Sequence, residues 1–185
     1  MSERVCPVWI GYLLASPVRK LFQNPDTLLA PYVKEGMKVI DIGSAMGFFS
    51  IPMAKMVGAG GKVVCIDLQK KMLSVLEKRS RKAGVLDRME LRQCSSGSLE
   101  ITDLKEEIDF VLASAVLHEV PDVSALFKEV YQALKKNGKM FIAEPEGHVD
   151  EKHFQLTLNA AKANGFILLS RPETAKSITA LIEKN

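Results

Sequence analysis

Two aspartates frame a glycine-bearing turn early in the chain: Asp41, in Val39-Ile40-Asp41-Ile42-Gly43, and Asp67, at the end of the apolar run 62–68. Between them the chain turns through Gly43-Ser44-Ala45-Met46-Gly47. A carboxylate about 20 residues beyond a glycine turn, ending the next strand, can accept charge-assisted hydrogen bonds from the vicinal hydroxyls of a ribose. Glycines in such a turn reach positive φ and let main chain approach a ligand with no Cβ in the way. A dinucleotide fingerprint would be G-x-G-x-x-G, with its third glycine where helix packs on strand and a pyrophosphate at the helix N-terminus. Here the turn offers Gly43, Ala45 and Gly47, and Asp41 stands just ahead of it. A carboxylate aimed into the turn suits an ammonium group better than a pyrophosphate, which favours an amino-acid-bearing nucleoside over NAD. The bland alternatives are an ordinary strand-to-helix turn and a loop aspartate. A nucleophile that must lose a proton would need a base near the ends of the fourth and fifth strands. His118 and Glu144 are the candidates there, with Glu119 and Tyr12 behind them. His118 reads equally as part of a structural turn leading into the next helix.

The elements that must position these residues show as hydrophobic periodicity. Residues 37–42 are an apolar run of the kind found in buried parallel strands, and Phe49, Met53 and Met56 recur at helical spacing behind the turn. Further strands are expected over 62–68, 89–92, 108–113 and 139–143, and helices over 69–83 and 123–136. Met72, Leu76, Arg79 and Ala83 line one side of the first helix, and Gly84 stops it. Val123, Leu126, Phe127, Val130 and Leu134 form the stripe of the second, closed by Asn137-Gly138. Residues 94–107 are polar, with one helical turn. A helix over 150–164 precedes strands over 165–170 and 176–183, joined by a turn around Arg171-Pro172-Glu173 too short for anything but an antiparallel hairpin. Ahead of the first strand, 8–16 and 24–33 read as short helices, the latter capped by Asn24-Pro25-Asp26. Trp9, Tyr12 and Phe22 in this region either cover a ligand or pack the core. The alternation predicts one three-layer α/β domain over 1–185, with a helical lid over 1–34 and a Rossmann-like core over 35–185.

Bulk properties exclude several classes. The chain has 185 residues, 47% hydrophobic and 25% charged, as expected of a globular protein. A net charge of +3 is too small to argue for nucleic acid, and the cluster Lys78, Arg79, Arg81, Lys82 complements the C-terminal dipole of its helix. The cysteines Cys6, Cys65 and Cys94 are far apart and show no metal-ligand spacing, so no metal is expected and a reducing cytoplasm fits. Cys65 reads as a small core residue. The apolar stretch after Arg4 is interrupted by Pro7 and Gly11 and is too short to span a membrane.

Taken with Val39-Ile40-Asp41-Ile42-Gly43 and Gly47, three further matches reveal a family resemblance: Val64-Cys65-Ile66-Asp67, Asp109-Phe110-Val111-Leu112 with Val116-Leu117-His118-Glu119-Val120-Pro121-Asp122, and Leu134-Lys135-Lys136-Asn137-Gly138 with Ala143-Glu144-Pro145. In this order they resemble the class I S-adenosylmethionine-dependent methyltransferases, in the small-molecule branch that includes the ubiquinone and menaquinone C-methyltransferases. The resemblance implies a mostly parallel seven-stranded sheet of order 3-2-1-4-5-7-6 with strand 7 antiparallel. It implies S-adenosyl-L-methionine as cofactor, S-adenosyl-L-homocysteine as product, and methyl transfer to a small-molecule acceptor by in-line displacement. Asp41, Gly43, Ser44, Ala45 and Gly47 would surround the methionine moiety, Asp67 would hold the ribose and Leu68 would pack on the adenine. Ser95 and Ser96 would lie by the adenine amino group, and Ser114 by the transferable methyl. Trp9, Tyr12, His118, Glu119 and Glu144 are the expected acceptor contacts. Two positions depart from the family pattern. Ala45 replaces a glycine, so the turn there either avoids positive φ or carries strain, and Ser95 replaces an acidic residue. These departures motivate an alternative, a non-catalytic binder of the same cofactor; a nucleotide-dependent oxidoreductase is a second.

Overall fold

Main-chain hydrogen bonding joins the apolar runs into a sheet in the computed structural model, which describes residues 24–185. The described elements are α1 (Pro25–Leu29), β1 (Lys38–Ile42), α2 (Ser50–Met56), β2 (Lys62–Asp67), α3 (Lys70–Ala83), β3 (Met89–Gln93), β4 (Ile108–Ser114), α4 (Val123–Ala133), β5 (Leu134–Pro145), α5 (Glu151–Ala163), β6 (Phe166–Ser170) and β7 (Ser177–Lys184). Short 3-10 turns lie at Leu86–Arg88, Thr102–Leu104 and Leu117–Glu119. The strand order is β3-β2-β1-β4-β5-β7-β6, the Rossmann-like order expected. The chain divides into two compact units, Met1–Cys94 and Ser95–Asn185.

In the first unit β1, β2 and β3 pair in parallel, with Asp41 beside Cys65 and Asp67 beside Gln93. Val39, Ile40, Val63, Val64, Cys65 and Ile66 are completely inaccessible. Strands covered on both faces need such unbroken apolar runs, and each buried valine or isoleucine contributes about 1.5–3 kcal/mol. Met72, Leu73 and Leu76 form the buried side of α3, and Gly84, at φ 69°, bonds back to Ser80 and Arg81 in the left-handed cap. Burial pushes the Cys65 thiol well up, with Asp41 adding to the effect, so this cysteine stays a protonated core residue.

In the second unit β4 and β5 are parallel, β5 and β7 antiparallel, and β6 and β7 form the antiparallel hairpin. Asp122 and Asp150 cap α4 and α5 by accepting from the N–H groups of Ala125 and His153. Phe127 and Phe154 are fully buried on these helices.

Two boundaries differ from expectation. The helix expected over 123–136 stops at Ala133, because Leu134 turns extended (φ −67°, ψ 139°) and pairs with Ile108 of β4. Its carbonyl accepts from Lys184 Nζ at 2.7 Å, a buried bond from the end of β7. β5 therefore starts five residues before the expected 139, with Asn137 at φ 63° within it. The helix expected over 24–33 shortens to α1, although Asn24 does cap it and Pro25 does open it. The helix expected over 8–16 lies outside the described residues, as do Trp9, Tyr12 and Phe22. Among the described residues no helix is long and apolar enough to cross a membrane.

Candidate functional site

The turn after β1 is built from main chain. The N–H groups of Gly43 and Ser44 both donate to the Ile66 carbonyl at 2.9 Å, which ties the turn to β2. Gly43, Ala45 and Gly47 all take the left-handed conformation, at φ 71°, 44° and 84°. At Gly47 a Cβ would run into the Leu76 side chain of α3, so both the conformation and the close packing require glycine. Ala45 resolves the question posed by the sequence: it adopts positive φ despite its Cβ, at a cost of about 1–2 kcal/mol. Its N–H donates to Asp67 Oδ2 at 2.8 Å, a charge-assisted bond that offsets the strain.

Asp67 closes β2 and is buried. Its other oxygen accepts from the Gln69 N–H at 2.8 Å. Burial pushes the carboxyl pKa up, while the bonds from Gln69 and Ala45 pull it down; burial wins. A carboxylate has about four acceptor directions, and two remain for a ligand's hydroxyls. Leu68, half-buried, follows directly, its carbonyl accepting from Gln93 Nε2 at 3.2 Å. The buried Ser44 hydroxyl has no hydrogen-bond partner among the described residues. An orphaned buried hydroxyl costs free energy, and a ligand in the turn would recover it. Asp41 is buried and accepts from Ser50 Oγ at 2.5 Å, so one of its oxygens anchors the first residue of α2. The structure thus gathers Gly43, Ser44, Ala45, Gly47, Asp67 and Leu68 around one turn, with Asp41 beneath it in the strand.

Side chains build the region after β4 and β5. Ser114, half-buried, ends β4 opposite Ala143. Ala115 then takes φ 56° and donates to the Ala143 carbonyl at 2.7 Å. Glu144 is buried near the end of β5. Its Oε1 accepts from the Val116 and Leu117 N–H groups at 3.1 and 2.9 Å, while Oε2 meets His118 Nδ1. This hydrogen bond to Glu144 raises the His118 pKa against the opposing effect of burial, with the charges of Glu144 and Glu119 adding to it. Glu144 therefore fixes both the turn that carries His118 and the ring's tautomer, leaving Nε2 as the exchangeable nitrogen.

His148 has no role in the sequence reading, yet it sits beside His118. Its Nδ1 is 3.4 Å from His118 Nε2, and the rings meet edge-to-face with centroids 5.3 Å apart. The turn Pro145-Glu146-Gly147-His148 brings it there, with the His148 N–H donating to the Pro145 carbonyl at 2.9 Å. The only local signal was a histidine four residues after Glu144. Glu119 is exposed next to His118, and Ser95 and Ser96 lie in an exposed bend where the Ser95 N–H donates to the Ser98 carbonyl at 3.2 Å. The expected acceptor contacts Trp9 and Tyr12 lie outside the described residues.

Comparison with known proteins matches this architecture to a class. A family of methyltransferase domains matches residues 33–184, and the chain belongs to it. It is therefore a methyltransferase domain by family. Among its relatives, a demethylmenaquinone methyltransferase of Lactobacillus johnsonii is 32% identical over 140 residues, covering 72% of this chain and 57% of that protein. A ubiquinone/menaquinone biosynthesis C-methyltransferase of Haemophilus ducreyi is 31% identical over 112 residues, 60% of this chain and 42% of that one. The chain thus spans about half the length of the quinone methyltransferases it matches. In fold it resembles a SAM-dependent methyltransferase from Aquifex aeolicus, with a TM-score of 0.84 at 21% identity over 97% of this chain and 98% of the other.

Proposed function

We propose that this protein transfers the methyl group of S-adenosyl-L-methionine to a small-molecule acceptor by in-line displacement. The carrying observation is the left-handed turn Gly43–Gly47, with its orphaned Ser44 hydroxyl, bonded through Ala45 to an Asp67 carboxylate that keeps two acceptor directions open. These residues fit an adenosylmethionine: Asp67 for the ribose diol, Leu68 against the adenine, and Gly43, Ser44 and Gly47 around the methionine part. Ser95, Ser96 and Ser114 are proposed as further cofactor contacts, on the adenine and methyl sides respectively. The cofactor supplies an electrophilic methyl group on a sulfonium, and the protein supplies orientation.

His118 is the proposed base. Glu144 holds Nδ1, so a proton leaving the acceptor is taken at Nε2, and the imidazolium that results stays paired with the carboxylate. Correct alignment of acceptor and methyl supplies much of the remaining acceleration. The quinone-methylating relatives make demethylmenaquinone the first acceptor to try.

Calorimetric titration with S-adenosylmethionine and S-adenosylhomocysteine, with NAD as control, tests the reading alongside an Asp67→Ala variant. Micromolar binding of the first two ligands, lost in the variant, is the expected result. Binding of NAD alone would overturn it in favour of an oxidoreductase. Cofactor binding with no methylated product from any acceptor would leave a binding protein.

A further inference from the structure

Since Glu144 holds Nδ1 of His118, every proton that His118 gains or loses must pass through Nε2. Among the described residues Nε2 faces Nδ1 of His148, at 3.4 Å. That is somewhat longer than the 2.7–3.2 Å of a well-formed hydrogen bond, so a proton arriving between the rings draws them together without first breaking a tight contact. The Glu144 side chain is 2% exposed and that of His118 21%, while His118 and His148 both rank as exposed residues. Among the described residues, the titratable groups facing His118 are Glu144 from β5, Glu119 from its own turn and His148 from the loop after β5.

We propose that His148 is the proton-exchange partner of His118, so that the working base is the histidine pair; this rests on reading His118 as the base. A buried carboxylate stabilises the imidazolium of His118 and for that reason makes it slow to release its proton. An exposed imidazole beside Nε2 removes the difficulty. The acceptor's X–H bond breaks, its electron pair forms the bond to the methyl group as the methyl–sulfur bond breaks and leaves its pair on sulfur, and the proton goes to His118 Nε2. It then passes to Nδ1 of His148, whose Nε2–H releases a proton to water. Exchange with solvent restores the starting tautomer of His148, and His118 is neutral again. His148 acts through His118 and is a positioning and relay residue, not one that touches the acceptor.

The first experiment needs no acceptor: imidazole NMR titration of the full chain, bound to S-adenosylhomocysteine, in wild type and in His148→Ala. The expected result is a His118 titration whose midpoint is displaced in the variant by about half a pH unit or more. Cofactor affinity is unchanged. A His118 midpoint identical in the two proteins would overturn the proposal. With an acceptor in hand, His148→Ala lowers kcat about tenfold at neutral pH, leaves KM in place, and is rescued by added imidazole. A loss that imidazole does not restore, with an unaltered pH profile, would mark His148 as merely structural. If His118→Ala retained full turnover, the base reading itself would fall, whatever the titration showed.

Discussion

Asp67 and Glu144 perform the same structural task with different consequences. Each is a buried carboxylate at the end of a parallel strand, and each gathers a loop by accepting from two main-chain N–H groups. Asp67 divides its amides between its two oxygens, one from Ala45 and one from Gln69. Glu144 collects both amides on Oε1 and keeps Oε2 for an imidazole. The first arrangement is a fixed acceptor, with directions left over for hydroxyl groups. The second places an ionisable donor against buried charge. The contrast teaches that the chemistry of a buried carboxylate depends on whether any of its partners can titrate.

Glu144→Gln tests the contrast most severely. Glutamine can still accept from Val116 and Leu117 through its carbonyl oxygen, but it offers His118 no charge. Turnover should fall roughly 10²–10⁴-fold, the range for losing a general base, with cofactor affinity little changed. Steady-state kinetics beside calorimetry would check it, and near-normal turnover would erase the difference between the two carboxylates. Asp67→Ala should act the other way round, on affinity: removing charge-assisted bonds of about 3 kcal/mol in total weakens S-adenosylmethionine about 100-fold.

The pH dependence separates the two sites further. The folded-state pKa of His118 is raised above its ordinary 6.5, so protonation favours the fold. Its contribution to stability is complete below 6.5 and is lost as pH rises through the higher folded value. Urea midpoints should therefore decline from about pH 6 into the alkaline range in the wild type, and decline less in His118→Ala. Equal declines in both proteins would remove His118 as the cause. Ala45→Gly carries the smallest effect. It relieves the left-handed strain but loosens the unfolded chain, for a net gain of about 0.5–1 kcal/mol, or roughly 2 °C in Tm. A lower Tm would show that the Ala45 Cβ makes contacts worth more than the strain.

Much of the first region was legible because its logic is local. The run 37–42, the glycines and the carboxylate ending the next strand obey spacing rules that the structure reproduces, down to the left-handed cap at Gly84. The α4 boundary was not legible. Leu134 continues a helical stripe, but its main chain is claimed by Ile108 and by Lys184, partners 26 and 50 residues away in sequence. For Ala45 the sequence offered strain or avoidance, and the bond to Asp67, 22 residues on, decided for strain.

The amino-acid sequence by itself determined the order of strands and helices, the glycine turn after the first strand and the two carboxylates at the strand ends. Periodicity and short-range turn chemistry operate between near neighbours, so one chain suffices to read them. Only the tertiary structure decided that Glu144 holds His118, and that His148 stands against its free nitrogen. Those contacts join residues 26 and 30 positions apart through the parallel pairing of β4 with β5 and the turn that follows it, and no local spacing rule encodes them.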